Sequence, residues 1–309
     1  MHALQLDGRV PFARIAEVLR SSEHTVARRY RRLRSTGVVR VVGAVDGFRL
    51  GYASWTVRLR CTPDAAGPIA AALARRPDTF WVHVLSGGTE ISCNLQAGSD
   101  AERDGFLLEK LPGTRRVLGM SAHAMLQGFA GPAGWAGLRA LDDEQVAALR
   151  PEPTAPGDEP VELATGDREL LAALAEDGRL GHAELAAASG LSESTVRRRL
   201  GQLRASGVLA YQVEISPAEL GYRAEARLWM SVRPSAVVDV AQALAGHTEV
   251  SFCAVTTGPS NLVAAVICRD ARHLYRYLTE QVGALREIDR VEAAPLIRTV
   301  KRNGAVLPR

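Results

Sequence analysis

Arginine carries the chemistry that this sequence can do. Arg197, Arg198 and Arg199 stand in a row, and Arg28, Arg29, Arg31 and Arg32 form two adjacent pairs. Guanidinium groups crowded on a helix neutralise phosphates and reach the edges of bases, and they stay protonated throughout. Other reactive types are dispersed. Cys61, Cys93, Cys253 and Cys268 lie singly in strand-like runs, with no close pair to hold a metal or form a disulfide. The seven histidines are scattered too, and His83 and His123 sit among apolar strand residues, as core or pocket histidines do. No catalytic residue, metal site or cofactor is expected.

Charge points to a partner. From 7 to 40, nine arginines face Asp7, Glu17 and Glu23, a local net of +6. From 177 to 210, five arginines face Asp177, Glu184 and Glu193, a net of +2, while the whole chain carries only +4. Positive charge is therefore focused, which favours double-stranded DNA over a merely solvated helix face.

Both arginine clusters lie in one repeated segment. Residues 7–39 recur at 177–209, identical at 15 of 33 positions, and Leu50-Gly51-Tyr52 matches Leu220-Gly221-Tyr222 at the same offset of 170. In the second copy, 182–188 reads as a small-residue helix, Gly190 as the turn, and Ser192 as the N-cap of a helix with Glu193 in its first turn. Val196, Leu200 and Leu203 form its apolar seam, leaving Ser194, Thr195, Arg197, Arg198, Arg199 and Gln202 outside. In the first copy, Ser22 caps, Val26, Tyr30 and Leu33 turn inward, and His24, Thr25, Arg28, Arg29, Arg31 and Arg32 turn outward. Gly37 and Gly207 then lead into β-branched runs resembling a wing. This is the sequence form of a helix-turn-helix. Copy one is the weaker scaffold: Arg20-Ser21 replaces Gly190-Leu191 in the turn, and the first helix (167–176 in copy two) is truncated.

Behind each motif the texture changes. Segments 224–232, 234–245, 250–256, 262–267, 270–282 and 288–299 read strand, helix, strand, strand, helix, strand. Segments 53–60, 64–75, 79–86, 90–97, 100–110 and 115–124 repeat that order, which is the ferredoxin-like βαββαβ. The fold class is therefore α+β: two tandem units, each a winged-helix-like helix-turn-helix domain followed by a ferredoxin-like domain. Boundaries fall at 1–45, 46–127, 128–163 (linker), 164–213 and 214–309. The linker begins rich in glycine, is expected to hold a short helix over 141–150, and ends proline-rich and acidic at 151–160. Helices cover one face of each ferredoxin-like sheet. The other face needs a partner, and the second copy is the nearest one.

The arrangement resembles the Lrp/AsnC, or feast/famine, transcriptional regulators. The pattern is carried by Leu171, Leu174, Asp177-Gly178-Arg179, Glu184-Leu185-Ala186, Gly190-Leu191-Ser192, residues 194–200, Leu203 and 207–209. That resemblance implies a small-molecule effector, an amino acid or related metabolite, bound near a loop between the middle strands. Here the loops would be Gly87, Gly88, Thr89 and Glu90 in one half and Gly258, Pro259, Ser260 and Asn261 in the other. The family's loop aspartate is Glu90 in one and Asn261 in the other, which alters how an amino group would be met. The run 111–117 resembles the family's approach to its last strand. The resemblance also implies a homo-oligomer, here with intrachain pairing of the ligand domains.

Two other classes share the outline. Siroheme decarboxylases are tandem proteins of similar form, but they carry His-Cys-Tyr-x-Arg and Trp-Pro-Tyr-Asn segments. Here the corresponding strand reads Ser251-Phe252-Cys253-Ala254-Val255, and no Trp-Pro-Tyr run occurs. A ligand-sensing interaction protein without DNA binding is the other alternative. No apolar run of membrane-spanning length and no leader-like start occur, so no membrane partner and a cytoplasmic location are expected.

Overall fold

The computed structural model describes residues 1–110, 116–130, 135, 137–151 and 160–303. Most of the approach to the last strand (111–115), Gly131 and Gly134 of the linker, and its acidic, proline-rich end (152–159) lie outside the described residues. In chain order the elements are α1 (His2–Leu6), α2 (Phe12–Val18), α3 (Glu23–Ser35), β1 (Val39–Val45), β2 (Ala53–Cys61), α4 (Pro63–Ala74) and β3 (Thr79–Leu85). Next come β4 (Glu90–Ala97), α5 (Asp100–Asp104), β5 (Val117–Ala130), α6 (Asp143–Leu149), α7 (Asp167–Glu176), α8 (His182–Ser189) and α9 (Glu193–Ala205). The chain ends with β6 (Leu209–Ile215), β7 (Ala224–Val232), α10 (Val237–Ala245), β8 (Val250–Thr256), β9 (Leu262–Cys268), α11 (Ala271–Arg276) and β10 (Ile288–Lys301). No helix among the described residues is long and apolar enough to cross a membrane.

Two compact units result, and they sort by kind of domain rather than by position along the chain. One takes Met1–Leu50 with Pro132–Glu219, the other Gly51–Gly131 with Leu220–Arg309.

The first unit is helical. Ser22 and Ser192 cap α3 and α9, each Oγ accepting the backbone N–H three residues on (Thr25 and Thr195, both 3.2 Å). Gly190 turns the chain with φ of 70°, and Arg20 holds the matching left-handed position with φ of 49°. A side chain is disfavoured there by contact with its own carbonyl, at a cost of about 1 kcal/mol. Packing is uneven to match. Val196, Leu200 and Leu203 of α9 are all buried, whereas in α3 only Tyr30 is, with Val26 and Leu33 half-buried. α1 has five residues and α7 has ten.

The β-branched runs after Gly37 and Gly207 do not form wings. β1 pairs antiparallel with β6 instead, Val42 opposite Gln212. Those two positions are equivalent in the repeat, so the pair is related to itself by a local two-fold axis. Each copy contributes a single strand, and its free edge finds a partner only in the other copy.

The second unit is a closed barrel of order β10-β3-β4-β2-β5-β8-β9-β7. Within it, β3-β4-β2-β5 and β8-β9-β7-β10 each show ferredoxin-like neighbours. The seams are reciprocal: β5 pairs β8 with Met125 opposite Thr256, and β10 pairs β3 with Leu296 opposite Leu85. β5 therefore runs to Ala130 rather than ending near 124, which shortens the expected linker because 128–130 are spent on the seam. The expected short helix within that linker is α6, closed by a capping box between Asp142 and Gln145. Alternation along each strand divides the side chains. Val57, Leu59, Ile91, Cys93 and Leu95 form one apolar core, while Leu228, Met230, Leu262, Ala264 and Val266 belong to another.

Candidate nucleic-acid interface

The outer faces of α3 and α9 hold most of the residues expected to meet DNA. His24, Arg28, Arg29 and Arg32 are exposed on α3, as are Ser194, Arg197, Arg198 and Gln202 on α9. Thr25 and Thr195 are half-buried, their hydroxyls 2.9 Å from the Ser22 and Ser192 caps. Among the described residues, no carboxylate pairs with Arg28, Arg29, Arg32, Arg197 or Arg198. Arg198 leans on Gln202, donating to its Oε1 at 3.4 Å.

Arg199 departs from the expected outward set. Its guanidinium folds back onto Asp167 at the start of α7, Nε donating to Oδ1 at 2.9 Å and Nη2 to Oδ2. Asp167 is 0% exposed, so this is a buried ion pair joining α9 to α7. Arg199 also donates to Gln202 Oε1 at 2.7 Å, which holds that amide against the helix. The counterpart of Arg199 is Arg29, which meets no carboxylate among the described residues. The guanidinium that copy two spends on its fold is therefore available in copy one.

Several arginines counted as DNA-facing charge serve the pairing of copies. The repeated Asp-Gly-Arg triplet is the contact. Arg9 donates to the carbonyls of Gly178 and Leu180, each at 2.9 Å, and Arg179 donates to Gly8 at 2.6 Å and Val10 at 3.2 Å. Arg34 pairs with Asp177 at 2.6 Å, and the equivalent Arg204 sits 3.6 Å from Asp7. Arg40 donates to the last carbonyl of α7, Glu176, at 2.8 Å. The identity of the triplet in both copies was the one signal available for this exchange.

The loops expected to take an effector lie in the other unit. Glu90 is buried, accepting from Arg58 and, at 2.9 Å, from Ser86. Arg58 also donates to Glu292 of β10 at 3.0 Å, tying the two sheets together. Asn261 is committed at both ends, accepting from Val232 N at 2.9 Å and donating to Val232 O at 2.8 Å. Pro259 and Ser260 accept from Ser231 and Thr256 through their carbonyls, and Gly258 lies against the His123 ring. Thr89 donates to Ser86 O at 2.8 Å, closing the turn through Gly87 and Gly88. The structure thus places the acidic and amide heads of these loops on protein partners. Among the described residues, no group of three His, Cys, Asp or Glu could hold a metal.

His83, inside this unit, is buried and lies 3.1 Å from the Thr299 hydroxyl. Burial first, then the charges of Arg227 and Arg302, push its pKa well below the ordinary 6.5. The unfolded chain binds a proton below about pH 6.5 that the folded chain refuses, so stability falls by about 1.4 kcal/mol per pH unit under that point. His83→Gln should flatten this slope in urea melts run between about pH 7.5 and about pH 5.5. An unchanged slope would place the titration elsewhere.

Comparison with known proteins agrees with this geometry. The AsnC-type helix-turn-helix domain matches residues 1–34 and 166–204, and the Lrp/AsnC ligand binding domain matches 225–306. An uncharacterised HTH-type transcriptional regulator of Pyrococcus horikoshii is 31% identical over 152 residues, 49% of this chain and 96% of that protein. The HTH-type transcriptional regulator LrpA of the same organism is 26% identical over 136 residues, 44% of this chain and 96% of that one. Among solved structures, the siroheme decarboxylase NirDL superposes with a TM-score of 0.60 at 15% identity, covering 98% of this chain and 93% of that one. At that identity the likeness is one of fold.

Proposed function

From a chain that belongs to the Lrp/AsnC family of helix-turn-helix transcriptional regulators, we propose a DNA-binding regulator whose two tandem copies act as an internal dimer. The observation that carries this reading is the self-symmetric β1–β6 pair with an uncompensated arginine face on each recognition helix. In the proposal, α3 and α9 enter major grooves of double-stranded DNA. Arg28, Arg29 and Arg32 meet phosphates, Arg197 and Arg198 reach base edges as well as phosphates, and His24, Thr25, Ser194, Thr195 and Gln202 lie toward base edges.

The reading assigns no catalysis. Decarboxylase-type His-Cys-Tyr-x-Arg and Trp-Pro-Tyr segments do not occur in this sequence, and Ser251-Phe252-Cys253 stands where the first would fall. Its effector is a small metabolite, supported by the match to a ligand binding domain. The barrel supplies the intrachain pairing, two chains then associate, and the protein works in the cytoplasm.

Footprinting on the gene's own upstream region, with and without a panel of amino acids, tests the proposal. One chain should protect an imperfect palindrome, because His24 and Ala27 stand where copy two has Ser194 and Arg197. Failure to retard any promoter fragment at low salt would leave a sensor without DNA binding.

A further inference from the structure

The barrel interior is polar where a closed barrel is usually packed with apolar side chains. Ser54 and Thr56 on β2 and Ser92 and Asn94 on β4 are all buried, on the face opposite the apolar core. Their hydroxyls and the Asn94 Oδ1, together with the Trp229 indole N–H on β7, have no hydrogen-bond partner among the described residues. Buried polar atoms are nearly always satisfied, so five orphans in one interior need a reason.

Arg227, also on β7, adds a charge to them. It is 3% exposed, and among the described residues no carboxylate or hydrogen-bond acceptor meets it. Its neighbours in register are Ala265 and Ala294, both too short to cover a guanidinium. Among the described residues its one ring contact is Phe252, 5.3 Å from guanidinium carbon to centroid. Ala265 and Phe252, which flank it in register, are only half-buried. Burial pushes the Arg227 pKa down to about 10, which still leaves it charged at neutral pH. Arg58, the other interior arginine on the facing sheet, is already neutralised by Glu90 and Glu292.

We propose that Arg227 anchors an internal binding site for a small organic monocarboxylate, enclosed by the barrel and separate from the loops at 86–91 and 257–262. A planar carboxylate matches the guanidinium fork bidentately and cancels a single positive charge. A dianion such as phosphate would leave one negative charge buried and uncompensated. The orphaned hydroxyls supply further donors to the same interior.

The test is thermal unfolding of the full chain without DNA, in sodium benzoate, sodium isovalerate, inorganic phosphate, or sodium chloride at matched ionic strength. Because no DNA is present, failure here leaves the regulator reading untouched. A carboxylate near a hundred times its Kd should raise the midpoint by about 3–6 °C and perturb tryptophan fluorescence, whereas phosphate and chloride should not. Arg227→Met should abolish the response while raising the ligand-free midpoint, since it removes an unpaired buried charge. Ala265→Leu, which keeps the charge but adds bulk opposite Arg227 in register, should also abolish the response. The proposal is overturned if neither carboxylate exceeds chloride, or if both variants respond as the parent does. An equal response to phosphate overturns the choice of carboxylate.

Discussion

Gly178→Ala is expected to destabilise the paired helix-turn-helix unit by about 3 kcal/mol and to abolish retardation of DNA. A Cβ there would fall 2.9 Å from the Val42 carbonyl carbon and 3.1 Å from its Cα. Those are backbone atoms of β1, inside the strand pair that joins the copies, so neither can move without opening the seam. Gly8 is the equivalent position, where a Cβ would meet the Tyr211 Cβ and Val41 Cγ1, both at 2.8 Å. Opening the seam also removes the Arg9 and Arg179 hydrogen bonds that each copy lends the other. Gly201→Ala is the control: it lies on α9 with nothing within 4 Å and should gain about 1 kcal/mol from helix propensity. Urea denaturation reads both. A Gly178→Ala variant within about 0.5 kcal/mol of the parent would mean that the close approach is not a constraint.

The arginine series should separate recognition from folding. Arg197→Ala with Arg198→Ala is expected to weaken binding about 100-fold and to lose discrimination between sites, with the melting midpoint unchanged. Arg28→Ala with Arg29→Ala should lower affinity for all sequences alike, because α3 is the less firmly packed helix and neither arginine meets a carboxylate among the described residues. Arg199→Ala should behave differently from both pairs. It strips the partner from a fully buried Asp167, a change that costs about 3–5 kcal/mol, so its loss of binding should track loss of fold. Gel shifts beside thermal melts decide the matter. If Arg199→Ala melts like the parent but fails to bind, the ion pair is incidental and Arg199 belongs with the DNA contacts.

Local structure was the part that could be read from sequence. Ser22 and Ser192 announce their caps, Gly190 its turn, and the period of Val196, Leu200 and Leu203 its buried face. These signals depend on residues a few positions apart. What escaped depends on residues far apart in the chain, 32 positions for Arg199 and Asp167 and 169 for Arg9 and Gly178. The run after Gly37 has strand character, but nothing local tells a wing from a strand awaiting its twin. Arg199 looks like Arg198 until Asp167 is placed beneath it, and Arg9 looks like any surface arginine until Gly178 faces it. The polar interior of the barrel was visible as alternation in Ser54-Trp55-Thr56-Val57-Arg58-Leu59, where every second residue is polar. Which half of that alternation met solvent and which met another sheet was decided only by closure of the barrel.

The central claim is that two arginine-bearing helices of one chain hold DNA together, and salt tests it most directly. Neutralised phosphates release counterions, so affinity for the footprinted site should fall steeply between about 50 and about 200 mM salt. With roughly four to eight phosphate contacts, the log–log slope should lie at about −4 to −7, and removing Arg28 and Arg29 should flatten it by about two. A slope near zero, or one that those two substitutions leave unchanged, would contradict the account.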